Sequence, residues 1–429
     1  MNVVFFNQNI NQVKYIVSKN SGSIAFWYYD DLSTYSQLKK VINIDKIYLE
    51  ENISSNFLSN YQELVHNIEV IFFPTISESE PIDNEKIFFY ASNDTHIYLY
   101  KNILNKIREN EFYLYCKLKE NASEAAITFN FENRGNEKQC NSDRTKSSVL
   151  VLANDWGVIE NNLCNWFKLN RRNIIGIQES LLDFNPKDRR LMNCSFPVFQ
   201  GLNSIRDVDK NGLICAVIGN PRFEKLISSD MIANTPVFIN VNFTYGFYEE
   251  ERQRWLTDVL DTCSDLNLDY LISQHPRDMS NLEGVKNVIK SGPGIVHDTI
   301  KNSCVVISRF SAVIVEAIAL GRPAIYFNPH NEFVGYRFDP DNKVLFYATN
   351  REELKKALQK ILASDYIFEP SDLLNFHLGN SLGGNSSYFI EKLIKSIQGK
   401  ELIKQLDAYS LLLIYLKYIK LSIKTRFFN

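Results

Sequence analysis

The sequence predicts an α/β protein of two Rossmann-like domains, and three observations carry that prediction. At 429 residues the chain exceeds the length over which one hydrophobic core keeps growing. Short β-branched and aromatic runs alternate with polar, helix-compatible stretches, the pattern of a parallel sheet with crossover helices. The most telling stretch is Val305 to Asn328, VVISRFSAVIVEAIALGRPAIYFN, which reads as strand, polar turn, helix, glycine stop and second strand.

In that stretch Val305, Val306 and Ile307 make a run short enough for a buried strand, and Ser308, Arg309 and Ser311 stand where a helix begins. A helix start presents unpaired N–H groups and the positive end of a dipole, so hydroxyls and a guanidinium there would cradle an anion. Glu316 follows about one and a half turns along, within reach of a sugar hydroxyl. Gly321 ends the helix and Pro323 opens the next strand. Taken alone, the pattern equally describes any βαβ repeat with a serine cap and a solvated glutamate. Leu268 to Asp278, LDYLISQHPRD, adds a second strand end carrying Gln274, His275, Pro276 and Arg277. In a parallel sheet both turns sit at carboxyl ends of strands, where α/β sheets bind ligands. Pro276 would stiffen the turn that aims His275 at a ligand.

The series Ile239–Thr244, a helix from about Glu249, SQHPRD and the long segment through Asn328 resembles the donor-binding domain of a GT-B glycosyltransferase. It is most similar to the bacterial surface-polysaccharide branch, which holds Kdo and sialic-acid capsule transferases and teichoic-acid polyol-phosphate transferases. Two further segments fit: NIIGIQESLLD (173–183) resembles a strand ending in Gln-His-Gly or Gln-Glu-Gly, and IGNPRFEKL (218–226) resembles the link into the second domain. The resemblance covers roughly residues 148–395. Ser180 stands where the family has glycine, Glu179 where it can have His, and Glu224 where Asp is usual. The resemblance implies two Rossmann-like domains facing across a cleft: 1–220 on the acceptor side, 221–395 holding the donor, and 396–429 a basic amphipathic tail.

Composition agrees. A net charge of −3 with 23% charged residues argues against a general nucleic-acid binder, and 45% hydrophobic residues exclude disorder as the main state. Seven cysteines, odd in number, scattered and never in a C-x-x-C pair, favour reduced thiols in a cytosolic protein. The amino terminus, MNVVFFNQNINQVKYIV, has no basic run ahead of an apolar one and reads as a first strand and helix. Val3–Phe6, Ser23–Tyr29, Lys46–Leu49, Val70–Phe73 and Lys86–Tyr90 are candidate strands, followed by Ser148–Ala153 and Ile174–Gln178. Residues 119–148 are polar and mixed in charge, and within them NRGNEKQCNSDRTKSS (133–148) reads as a long loop or mobile segment.

A glycosyl transferase needs a base for the acceptor hydroxyl or a group that stabilises an oxocarbenium-like centre. Asp155 in LANDWG and Glu179 in IQES follow strand ends in the first domain and are the catalytic candidates, with Asp183 third. A plain alternative makes Asp155 a turn or cap residue and Glu179 a solvated one. His297 reads as a helix-start residue, His330 as one that can reach the cleft, and His66 and His96 as lacking a surrounding acid cluster. Asp30 and Asp31 have no complementary ligands, so no metal is expected; Arg277 and Arg309 would supply positive charge to a leaving phosphate instead.

Residues 402–429 hold an apolar and aromatic segment with Lys417, Lys420, Lys424 and Arg426 and no acid after Asp407. Its uninterrupted apolar run is well short of the roughly 20 residues that span a bilayer. An amphipathic helix on an anionic membrane surface fits, as does a helix docking back on the first domain. The expected activity is metal-independent transfer of a sugar, first a CMP-linked ulosonic acid (Kdo or a sialic-acid-like nonulosonate), onto a surface or lipid-linked glycan. The place is cytoplasmic, at the inner face of the membrane, with no cofactor beyond the nucleotide-sugar donor and no nucleic acid. A CDP-polyol phosphotransferase, a UDP-sugar transferase, a UDP-sugar epimerase and a non-catalytic GT-B-like scaffold are the alternatives.

Overall fold

The computed structural model describes the chain apart from residues 7–12, 14–15, 18–21, 29–37, 39, 51–67, 74–84, 117–136, 182–190, 207, 232–234, 245, 276–277, 279, 293–294, 334–335, 400–407 and 428–429. It divides into two compact units, Met1–Glu224 with Asn375–Asn429, and Lys225–Leu374.

The first unit is built on a ten-stranded parallel sheet: β1 (Asn2–Phe6), β2 (Ile24–Tyr28), β3 (Lys46–Glu50), β4 (Glu69–Phe73), β5 (Lys86–Ala91), β6 (Phe112–Cys116), β7 (Ser147–Leu152), β8 (Asn173–Ile177), β9 (Phe196–Phe199) and β10 (Ile214–Val217). Their order is β4-β3-β1-β2-β10-β9-β8-β7-β5-β6. A sheet covered on both faces needs strands that are apolar on both faces, which is why β5 (KIFFYA) and β6 (FYLYC) read as continuous apolar runs. The two-residue period divides them: Ile87, Phe89 and Ala91 enter one core, Phe88 and Tyr90 the other.

Helices described after strands of this sheet include α1 (Asp94–Leu104), α2 (Glu137–Thr145), α3 (Val158–Leu169) and α4 (Leu202–Ile205). Asn93 caps α1, its side chain accepting from the His96 N–H at 3.3 Å. The presence of α2 corrects the expectation of a long loop over 133–148, since Glu137–Thr145 is helical. Tertiary bonds fix it: Tyr115 Oη donates to Asp143 Oδ2 at 2.8 Å and Ser147 Oγ to the Asp143 carbonyl at 2.9 Å.

The second unit has a six-stranded parallel sheet: β11 (Val237–Val241), β12 (Tyr270–Gln274), β13 (Val288–Lys290), β14 (Val305–Ser308), β15 (Ala324–Phe327) and β16 (Leu345–Ala348), in the order β13-β12-β11-β14-β15-β16. Its helices are α5 (Arg252–Asp265), α6 (Ile295–Lys301), α7 (Val313–Ala319) and α8 (Arg351–Ile361). Trp255 of α5 is fully buried in this core and donates from Nε1 to the Phe327 carbonyl at 2.9 Å.

The chain leaves the second unit within α9 (Ser371–Leu378), then forms α10 (Ser386–Ile397) and α11 (Ala408–Phe427). Here the structure departs from the expected boundary at 395. The apolar stripe of α10, Phe389, Ile390, Leu393, Ile394 and Ile397, completes a core of the first unit. Glu224, the last residue before the second unit, fastens this return: its carboxylate accepts from Asn102 Nδ2 at 2.9 Å and Ser387 Oγ at 3.0 Å. Gly219 follows β10 with φ 110, and a Cβ there would lie 2.7 Å from the Ser381 backbone nitrogen. Gly219→Ala is therefore expected to destabilise the first unit by about 2–4 kcal/mol, read as a lowered urea midpoint with unchanged m-value.

Candidate functional site

The second unit's sheet starts at β11 and winds outward in both directions, so its switch point lies between β11 and β14. Open α/β sheets bind ligands outside the carboxyl ends of strands at such a point. Two asparagines lie across it. Asn240 donates from Nδ2 to Ser308 Oγ at 2.9 Å, and Asn242 donates from Nδ2 to the Phe310 carbonyl at 2.7 Å. The Asn242 Oδ1 is buried and has no partner among the described residues. An unsatisfied buried acceptor at a switch point is what a ligand hydroxyl or N–H would complete. On the same edge His275 follows β12, its N–H bonded to the Val241 carbonyl at 2.9 Å. Burial pushes the His275 pKa down against the pull of Asp278, favouring the neutral imidazole. Ser311 is half-buried ahead of α7 and accepts the Val313 N–H at 3.3 Å. Glu316 in α7 is buried and meets His297 Nε2 of α6 at 3.0 Å, with the imidazole about one-third exposed.

Arg309 faces a different partner. Its Nε lies 2.8 Å and its Nη2 2.6 Å from Glu332 Oε2, and its Nη1 donates to the Phe247 carbonyl at 3.0 Å. The guanidinium lies 4.4 Å from the centre of the Phe243 ring. Glu332 also accepts from the Phe310 N–H at 2.8 Å and Tyr326 Oη at 3.1 Å, and His330 Nε2 lies 3.2 Å from it. Burial alone would raise the Glu332 pKa, but His330, Arg309 and the Phe310 N–H hold it below the usual value.

In the first unit β7 and β8 are neighbours, and their carboxyl ends carry Asp155 and Glu179. Asp155 is 1% exposed, and both carboxylate oxygens are engaged: Oδ1 accepts the Leu191 N–H at 2.8 Å and Oδ2 the Asn193 N–H at 2.7 Å. Leu191 has φ 61, so the carboxylate anchors a left-handed turn. Glu179 is different. Its side chain is 25% exposed and its Oε2 lies 3.1 Å from Nε2 of His96, which is itself 1% exposed. The Ser92 N–H donates to His96 Nδ1 at 3.2 Å, which assigns the neutral imidazole hydrogen to Nε2, facing the carboxylate. Behind Glu179 the backbone is held by Asn220, whose Nδ2 donates to the Gln178 carbonyl at 2.9 Å, and by Gln200, whose N–H donates to Gln178 Oε1 at 3.0 Å.

Among solved structures, the chain is similar to a protein from Listeria monocytogenes described as a UDP-N-acetylglucosamine 2-epimerase. Identity is 12% and the TM-score 0.53, over 74% of this chain and 96% of that one. The S. aureus protein MnaA, solved with UDP, is 11% identical with a TM-score of 0.52, over 71% and 95%. A glycosyltransferase of kitacinnamycin is 10% identical with a TM-score of 0.50, over 73% and 98%. The fold is GT-B. No family model and no curated protein sequence matches the chain.

Within this GT-B chain, the structure sorts the residues singled out in the sequence. Ser308 and Ser311 stand at the switch point with Asn240 and Asn242, and Glu316 pairs with His297. Pro276, Arg277 and Asp183 lie outside the described residues, as do His66, Asp30 and Asp31. Two of the singled-out residues are engaged within the fold. Arg309 is a structural cation, because Glu332 and the Phe247 carbonyl occupy its donors at 4% exposure. Asp155 is a loop anchor, because backbone N–H groups take both its oxygens. His330 likewise turns inward, with 3% of its side chain exposed. His96 was the residue the sequence understated: its acid partner lies 83 positions away and only β-sheet register brings them together. Asn240 and Asn242 left a readable signal, two amides within the otherwise apolar VFINVNF.

Proposed function

We propose that the protein is a glycosyltransferase that uses a nucleotide-activated sugar and a hydroxyl acceptor. The observation that carries this reading is Glu179, a partly exposed carboxylate held by a buried imidazole whose hydrogen faces it. Glu179 takes the proton of the acceptor hydroxyl, and His96 Nε2–H fixes the carboxylate by donating to Oε2. The acceptor oxygen bonds to the anomeric carbon as the bond from that carbon to the leaving phosphate oxygen breaks. In the second unit, neutral donors at the strand ends, His275 and the Ser311 hydroxyl, answer the charge left on the phosphate, while Glu316 and Asn242 Oδ1 accept from donor hydroxyls. The acceptor is a surface or lipid-linked glycan at the cytoplasmic side of the membrane.

The donor expected first, a CMP-linked ulosonic acid, drew on Arg277 or Arg309 to meet the sugar carboxylate, and Arg309 is committed to Glu332. The proposal is therefore kept at the level of a nucleotide sugar, with UDP, CMP and CDP as the carriers to compare. A ligand that binds only the folded state stabilises it by RT ln(1 + [L]/Kd), about 2.7 kcal/mol at a hundredfold excess over Kd, and so raises the melting temperature. A panel of CMP, CDP, UDP and GDP is expected to give one selective shift that is reduced in Glu316→Gln. No shift from any of the four would remove the reading and leave a GT-B-like binding protein in its place. An epimerase differs by acting on its nucleotide sugar with no acceptor, so a change of the sugar's C2 configuration in the absence of acceptor would replace transfer by epimerisation.

A further inference from the structure

Helix α11 has two faces of different character. Leu411, Ile414, Tyr418, Leu421 and Ser422 are half-buried at three- and four-residue spacing, and α11 packs on α3, where Asn162 Nδ2 donates to Ser422 Oγ at 3.3 Å. The opposite face is apolar and open to solvent: Tyr409 is 70% exposed, Leu412 53%, Leu413 41%, Leu416 54% and Ile419 38%. Tyr415, at 50%, lies at its edge. Lys417 and Lys420 are exposed on the same helix, and the sequence from Ala408 to Asn429 contains no Asp or Glu.

We propose that this face of α11 docks on an anionic bilayer surface, with Leu412, Leu413, Leu416 and Ile419 in the acyl boundary and Lys417 and Lys420 at the headgroups. Monomeric proteins rarely leave a contiguous apolar row of this kind in water without a use for it. Tyrosine and lysine suit a membrane interface, since each has an apolar stem and a polar tip. No helix among the described residues is long and apolar enough to cross a membrane, so the contact is one of lying on the surface. Charge selects lipid over a second copy of the chain. A two-fold contact sets a patch against itself, so lysines would face lysines with no carboxylate on the helix to answer them, whereas anionic headgroups answer each one. Because α3 already holds the helix, the face exists before the membrane arrives and binding orders little further chain. The inference does not depend on glycosyl transfer.

Co-sedimentation of the full chain with vesicles tests it, using phosphatidylcholine alone and equal parts phosphatidylcholine and phosphatidylglycerol. The native chain is expected to pellet with the mixed vesicles and far less with the neutral ones. Lys417→Glu and Lys420→Glu should each weaken binding about fivefold or more, an effect that shrinks at high salt. Leu412→Glu/Leu416→Glu should weaken it tenfold or more. These side chains point away from α3, so circular dichroism and melting temperature should stay at native values, and nucleotide-induced thermal shifts should be unaffected. A native chain that stays in the supernatant with mixed vesicles overturns the proposal. So does equal pelleting with neutral vesicles, which would leave the lysines without a part. A dimer in sedimentation velocity that Leu412→Glu/Leu416→Glu converts to monomer, with no vesicle binding, would assign the face to a second copy instead.

Discussion

Glu332→Gln is expected to destabilise the second unit by about 3–5 kcal/mol, the usual cost of removing one partner from a buried ion pair. The side chain of Glu332 is 0% exposed and that of Arg309 5%, so the guanidinium left behind has no route to water. Gln keeps the volume and one acceptor oxygen but turns an amide toward a cation, and the Phe310 N–H, Tyr326 Oη and His330 compete for what remains. Arg309→Met in the Glu332→Gln background should recover part of the loss, because the unpaired charge is then gone. Hydrogen exchange of the β14 amides reads the second unit separately from the first. Additive losses in the double variant would show that the pair is not coupled.

The same pair sets a direction for pH dependence. The folded-state pKa of Glu332 lies below its ordinary value of 4.5, so the folded protein holds this proton less readily than the unfolded chain. Its contribution is complete above the unfolded value and is lost as pH falls through the folded one. His275 adds to the loss on the acid side from a higher starting point: its pKa is lowered from 6.5 by burial, so acidification below that value begins to favour the unfolded chain.

Arg309 also shows what the sequence could and could not disclose. Strand, turn, helix and stop across Val305–Phe327 were legible because each rests on neighbours within a few positions, and the structure has β14, α7 and β15 there. That local pattern says an arginine sits at a strand end but not whom it faces, and its partner is 23 residues away on the next strand's exit. The apolar residues of α10 recur at helical spacing, but such a period names a buried face without naming the sheet it covers. Asp155 and Glu179 looked alike as acids after strands. One is spent on the N–H groups of a turn at Leu191 and Asn193, and the other is presented by a histidine from a distant helix. The difference is tertiary, made by a loop in one case and by the order of β5, β7 and β8 in the other.

Glu179 therefore carries the prediction with the largest effect on activity. If it is the base, Glu179→Gln should lower kcat by about 10²–10⁴-fold, the range for loss of a positioned general base. The substitution keeps size and a carbonyl oxygen for the His96 Nε2–H, so folding and nucleotide-induced thermal shifts should stay at native values, since the nucleotide residues belong to the second unit. His96→Gln should give a smaller fall in kcat with little change in KM, because it loosens the carboxylate without removing it. Nucleotide release from the preferred donor, with water or glycan as acceptor, provides the assay. Asp155→Asn supplies the contrast: it should disturb the turn at Leu191 and lower the melting temperature, and any loss of activity should follow the loss of folded protein. If instead Glu179→Gln stays within a few-fold of native kcat, the base lies elsewhere, and the His96–Glu179 pair is a structural tie between α1 and the end of β8.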